Sequence, residues 1–398
     1  MRAMTKLRII LVCLLLVLTG GRAEAALSGA EKKAYDSAAE AFRIGFWDRA
    51  EVEFAEFIEK YPKSERLGEA ILREAEAQFR QKKFPSVVAL LTAREADAGN
   101  FTDQFLYWIA EAQFQSGNYK AAAGSFGKLA REHRTSSRRL EAAVGEAAAE
   151  ARLGEWPKVL ELLRKPESVF RQASLGLTNN ETVAQGYLLQ AEAHLQEKQY
   201  PEAEATLNNK VSPELRGELG WRRQYLLCRA LLGSNRPEAA ERESEGLLTT
   251  AEAVWGADLV SESVAFRAGI LEQLGKRDQA IAVLKRNLGT NSPVARQEQA
   301  LSRITTLALE QGQYDVAVET LQSFLDQFPA SRAAAVALLT LGEVHLKQHA
   351  TVLATNQNGA AAISATNHLP VALNCFDRVI AVYTNSTLIG RAQLGRGW

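Results

Sequence analysis

The chain has 398 residues, 47 basic and 47 acidic, with 46% hydrophobic side chains and three cysteines. A formal charge of zero argues against the dense basic surface that nucleic-acid binding demands. The length would ordinarily mean two or three globular domains, but Ala, Leu, Glu, Gln and Arg dominate, which favours helix.

Residues 1–25 are predicted to be a secretory signal peptide. Met1 to Arg8 carry positive charge, Ile9 to Leu18 are an unbroken apolar run of ten, and Ala23-Glu24-Ala25 is a small-x-small cleavage pattern. The run is half of the roughly 20 residues a spanning helix needs, so no anchor is expected. Cys13 lies inside the run and not after it, which argues against a lipid-acceptor cysteine. Cleavage removes four basic and one acidic residue, leaving 43 and 46 and a net charge near −3. The two remaining cysteines, Cys228 and Cys375, are 147 residues apart and read as buried thiols.

From Tyr35 onward a phrase of Gly-x-aromatic-x-x-Ala type recurs. Its copies begin at Gly45, Lys82, Gly117, Gly154, Lys198, Ser234, Gly275 and Gly312, at intervals of 37, 35, 37, 44, 36, 41 and 37. Apolar residues at three- and four-residue steps flank each copy. In the third, Leu106, Ile109 and Ala110 precede the turn, and Ala122, Phe126 and Leu129 follow it. Two amphipathic helices joined by a glycine turn are predicted per copy. Such arrays pack each unit only on its neighbours. The sixth copy is weak, with Arg236 in place of the turn aromatic and Glu243 in place of a helix aromatic.

The predicted organisation is an N-terminal array over 26–164, an insertion at 165–181, and a C-terminal array over 182–398. Residues 350–369 of the latter, rich in Ala, Thr, Asn and Gly, form either a loop or an extension of both helices of a ninth hairpin. Pro370 should then resume the second helix. Leu394-Gly395 sits where a tenth first helix would carry its small packing residue. The array is therefore expected to be incomplete at Trp398 and the natural protein to continue.

No phosphate loop, nucleophile elbow or dinucleotide fingerprint occurs, and no enzyme is expected. His345-Leu346-Lys347-Gln348-His349 places two imidazoles one turn apart, which can suit zinc. It lacks the following glutamate and a third ligand, so these read as surface histidines. No metal or cofactor is expected. Carboxylates such as Glu69, Glu76, Glu202 and Glu204 follow helix-surface spacing and read as solvated faces.

The pattern resembles the tetratricopeptide repeat family over about residues 30–398, most closely in copies one, three, five and eight. The resemblance implies an all-α, right-handed superhelical solenoid of antiparallel helix pairs. First helices would line a concave groove binding other proteins or peptides. Groove positions would be Tyr35, Phe42, Glu69, Glu76, Phe79, Tyr107, Glu111, Phe114, Glu192 and Trp221. Aromatics would anchor a partner, and carboxylates would favour basic ones. Phe42, Phe79 and Phe114 also fit an inter-repeat core role. The phrases Phe57 to Ser64 and Phe324 to Ser331 are similar to those of outer-membrane assembly lipoproteins and of the periplasmic coordinator of the Tol–Pal system. That local resemblance implies a class, a scaffold helping to assemble or coordinate envelope components as its partners; the signal peptide adds export, to a periplasmic or outer-membrane-associated place.

Overall fold

The computed structural model of the chain describes residues 29–178, 180–254, 256–355 and 362–398. The predicted signal peptide lies outside the described residues. Every regular element among the described residues is helical. Two compact units meet at Gly176 and Leu177, inside the predicted insertion at 165–181.

The first unit holds four hairpins: α1 (Gly29–Arg43) with α2 (Trp47–Lys60), α3 (Leu67–Arg80) with α4 (Phe84–Ala93), α5 (Thr102–Gln115) with α6 (Tyr119–Glu132), and α7 (Arg139–Leu153) with α8 (Trp156–Arg164). A short α9 (Val169–Ala173) packs back on α7 and α8. In the second unit, α10 (Glu181–Gln196) pairs with α11 (Tyr200–Asn209) and α12 (Gly217–Gly233) with α13 (Pro237–Ala253). Then come α14 (Ala257–Gln273) with α15 (Arg277–Leu284), α16 (Val294–Glu310) with α17 (Tyr314–Gln327), α18 (Ala334–Thr355) with α19 (Ala362–Val382), and a last helix, α20 (Ile389–Gly397).

Eight first helices end alike. One residue enters the left-handed region, with φ between +56° and +83°: Gly45, Lys82, Gly117, Gly154, Lys198, Asn235, Gly275 and Gly312. The N–H of the next residue donates to the carbonyl five positions back, as from Phe46 to Ala41 and from Glu155 to Glu150, at 2.8–3.0 Å in all eight. This closure satisfies an orphan carbonyl and reverses the chain. It also corrects the frame of the sixth copy, whose turn residue is Asn235, not Ser234. Counting from the turn, the buried small residue of each second helix lies five positions on. Ala50, Val87, Ala122, Val159, Ala203, Ala240, Ala280 and Ala317 are all fully buried. Seven positions before the turn, the first helices bury Ala38, Ala75, Ala110, Ala147, Ala191, Cys228, Ala268 and Thr305. Cys228 therefore fills an alanine's place, and burial pushes its thiol up to about 12.

Short prolines and serines set the remaining joints. Pro85, Pro157 and Pro201 lie in the first turns of α4, α8 and α11, where a missing N–H costs nothing. Between hairpins, the N–H groups of Ser64, Ser136, Ser331 and Ser386 donate to the carbonyls of Tyr61, His133, Phe328 and Tyr383. Each serine Oγ then accepts the N–H two residues on.

Two regions depart from expectation. The sixth hairpin is not weak: its helices α12 and α13 each run 17 residues. With the turn at Asn235, Pro237 holds the aromatic's place; Arg236, one position after the turn, donates to Glu204 at 2.8 and 3.1 Å, and the Gln224 amide donates to Glu243 at 2.5 Å. The same tie recurs in Lys83–Glu51 (2.7 Å) and Lys276–Glu241 (2.6 Å). In each, the residue after one turn reaches the sixth residue after the preceding turn. Such half-exposed pairs contribute about 0.2–1 kcal/mol each. Glu204 is thus paired and not part of a solvated face. In the ninth hairpin, 350–355 and 362–369 are helical, so both helices extend; 356–361 lie outside the described residues. Pro370 does not open the second helix but lies within α19.

Close approach between hairpins relies on glycine facing phenylalanine. A Cβ on Gly145 would lie 2.9 Å from the Phe126 ring, and one on Gly395 would lie 2.7 Å from the Phe376 ring. Gly395 thus occupies the expected small-residue place on α20. Gly145→Ala should cost about 1–3 kcal/mol through ring displacement. Lys82→Gly and Lys198→Gly should each raise stability by about 0.5–1 kcal/mol by relieving the left-handed backbone. Urea unfolding followed by circular dichroism measures both; destabilisation by the glycine variants would refute the second expectation.

Candidate partner-binding face

In the first unit the first helices α1, α3, α5 and α7 pack side by side. Their aromatic rings include three that are each covered by an arginine from the next hairpin. The Arg66 guanidinium lies 4.4 Å over the Tyr35 ring, Arg73 lies 5.3 Å over Phe42, and Arg138 lies 4.7 Å over Tyr107. Arg66 and Arg138 both sit just after the inter-hairpin serine, so the turn that starts a first helix also aims the cation. Such contacts contribute about 0.5–1 kcal/mol when exposed and more when dry.

Carboxylates interleave with these rings. Glu69 hydrogen-bonds the Tyr35 hydroxyl; burial first, then Glu69, holds that phenol far above its ordinary range. Burial and Glu111 do the same for Tyr107. Glu111 itself is raised by burial, against the opposing hydrogen bond from Tyr107 and the charge of Arg138. Glu76 accepts Arg73 Nη1 at 2.8 Å and the Trp108 indole N–H at 3.0 Å. Trp108 was not singled out by the sequence reading, although it stands next to Tyr107 on α5.

The three equivalent phenylalanines play another part. Phe42 meets Trp47, Phe79 meets Phe84, and Phe114 meets Tyr119, with ring centroids 5.1–5.3 Å apart and edge-to-face tilts of 75°, 64° and 67°. Each pair clasps the end of a first helix to the start of its second, so these phenylalanines brace hairpins. Tyr35 is 5% exposed, packed edge-on to Phe54 and Phe57. Tyr107, Glu69, Glu76 and Glu111 remain partly exposed.

The second unit places its two named residues differently. Glu192 accepts Arg222 at 2.5 Å. Trp221 is buried, stacked on Tyr225 at 5.2 Å and 11°, with its N–H donated to Ser263 at 2.9 Å. Little of its ring is left for a partner. A cleft of about 710 Å³ opens between α14 and α16. Small residues including Ala265, Gly269 and Ala300 line it, and Glu272 and Arg303 pair there. No motif marked this cleft in the sequence; the only signal is the run of small residues on α14.

The carboxylates expected to await basic partners are therefore largely engaged by the chain's own Arg73, Arg222, Trp108 and Tyr hydroxyls. Among the described residues no three His, Cys, Asp or Glu side chains gather as a metal set. His345 is not a surface histidine: it is 9% exposed, its Nδ1 lies 3.2 Å from His368 Nδ1 across the ninth hairpin, and burial, then His368, hold it below the usual imidazole range. No helix among the described residues is long and apolar enough to cross a membrane.

These features define a helical-hairpin repeat protein. Residues 104–136 and 299–331, the third and eighth hairpins, match the tetratricopeptide repeat family, so the chain carries tetratricopeptide repeats at both places. It is similar to a tetratricopeptide repeat protein from Parabacteroides merdae (13% identity, 87% of this chain and 100% of that one, TM-score 0.38). It is also similar to the C-terminal part of a repeat-containing protein from Cytophaga hutchinsonii (12%, 75% and 99%, TM-score 0.40). A third likeness is to a signal-transduction ATPase with a tetratricopeptide sensor from Pyrococcus horikoshii (12%, 87% and 55%, TM-score 0.46). No curated protein matches the chain.

One buried group on α3 escaped the sequence reading. Glu74 is 8% exposed, and burial and then Glu51 raise its carboxyl to about 7, opposed by Arg94. Its Oε1 accepts the Gln78 amide at 3.2 Å. A carboxyl raised on folding contributes fully below its unfolded value and loses that contribution as pH rises through about 7. Stability should therefore fall between pH 5 and 8. Glu74→Gln should flatten that slope and stabilise by on the order of 2 kcal/mol at pH 8. Denaturant midpoints at the two pH values check this; parallel slopes in both proteins would reject it.

Proposed function

We propose that the chain is an exported, non-catalytic scaffold that holds a partner protein on the first-helix face of its first unit and so helps assemble or coordinate components of the bacterial cell envelope. One observation carries the docking reading. Arg66 and Arg138 stand at equivalent turns over Tyr35 and Tyr107, whose hydroxyls meet Glu69 and Glu111 on the first-helix face. Rigid aromatic edges beside arginines and carboxylates suit an extended peptide segment, whose side chains and amides can meet both signs of charge. The match to the tetratricopeptide repeat family supports protein partners. Export rests on the charged start, the ten-residue apolar run and the Ala23-Glu24-Ala25 cleavage pattern.

Affinity capture from envelope extracts with the mature chain should recover outer-membrane or peptidoglycan-associated proteins. A Tyr107→Ala/Arg138→Glu variant that keeps wild-type helicity should lose at least about 90% of that capture, in line with hot-spot residues costing 2 kcal/mol or more. Capture of cytoplasmic proteins alone, or retention of the full-length chain inside the cell on fractionation, overturns the envelope reading. Equal capture by the variant overturns the face.

A further inference from the structure

We propose that His345 on α18 and His368 on α19 form a clip for one divalent transition-metal ion of the zinc type, stapling the ninth hairpin at the base of its extended part. The two Nδ1 atoms are 3.2 Å apart with ring centroids 5.5 Å apart and planes inclined by 28°. An ion at about 2.05 Å from both nitrogens would view them at roughly 100°, close to the tetrahedral angle zinc adopts. The backbone need not move; the rings need only tilt until both lone pairs point at a shared position beside the present contact. Without an ion, the same nitrogens can share one proton as a hydrogen bond.

The surroundings supply a further donor. Gln348, one turn beyond His345 on α18, faces that ring, and its Oε1 is buried without a hydrogen-bond donor of good geometry. Two imidazoles, an amide oxygen and a solvent oxygen make the N/O set that borderline cations accept. Charged neighbours on the same helices are engaged or turned outward: Glu343 pairs with Arg391, Asp377 pairs with Arg396, and Lys347 is exposed. The i,i+4 pair His345 and His349 is thus replaced by a pair joining two helices. A metal there would lock α18 to α19 just where residues 350–355 and 362–367 prolong them.

The test uses the untagged mature chain titrated with Co²⁺ and then Zn²⁺. One equivalent of Co²⁺ should give visible ligand-field absorption of tetrahedral strength, which Zn²⁺ displaces. Zn²⁺ should also raise the thermal midpoint, and a chelator should reverse this. Removing an outer-shell partner costs 10–100-fold in affinity, so His345→Gln and His368→Gln should each weaken binding at least about tenfold, while His349→Ala leaves it within about twofold. No absorption with excess Co²⁺ overturns the proposal, as does unchanged affinity in His368→Gln. Loss confined to His349→Ala would place the ion on α18 alone and also overturn it. Should His345→Gln fail to fold, the half-buried His368 variant and the wild-type spectrum still decide the matter.

Discussion

The left-handed residue that ends each of eight first helices is the constraint on which the rest depends. It stops one helix, pairs its orphan carbonyl and sends the chain back in a single step. Because the closure has the same geometry eight times, every other feature can be counted from it. The fully buried small residue falls five positions later, its partner on the first helix seven positions earlier, and the charged tie to the preceding hairpin one position later. Glycine meets the requirement most cheaply, and Lys82, Lys198 and Asn235 show that the fold tolerates the strain where packing over-determines the turn.

Upon this frame, aromatic and ionic contacts act side by side as fasteners. In the first three hairpins the aromatic after the turn clasps the phenylalanine of its own hairpin. One position after the turn, Lys83, Arg236 and Lys276 each pair with a glutamate of the previous hairpin. The face formed by α1, α3, α5 and α7 obeys the same economy. Its arginines and carboxylates first satisfy each other and the rings beneath them, and only their outer edges are left for a partner. A docking segment would therefore exchange contacts within a preformed network, which favours specificity over raw charge attraction.

The period places equivalent residues, such as Tyr35 and Tyr107, at one point of each first helix, and that much of the candidate face was legible. Tyr35 meets Glu69, Tyr107 meets Glu111, and the three phenylalanines repeat. What could not be read was the choice between groove and brace for Phe42, Phe79 and Phe114, since both uses place a ring on the same helix stripe. Trp221 shows the same limit: its burial depends on Tyr225 and on Ser263, 42 residues away. The unexpected participants, Trp108, Glu74 and the His345–His368 pair, owe their roles to neighbours on other helices, which helical spacing alone cannot reveal.

The amino-acid order by itself determined the helical hairpins, their period and their turns, because helix propensity, glycine's freedom at positive φ and the apolar stripe are local properties that each repeat states again. It left open which charged groups would be spent inside the protein, how the residues around 350–369 would be used, and which polar side chains would be buried. Those were decided by tertiary packing. An ion pair, a ring stack or a desolvated carboxyl depends on distances between segments some 20 to 40 residues apart, and such distances exist only once the hairpins have closed and stacked.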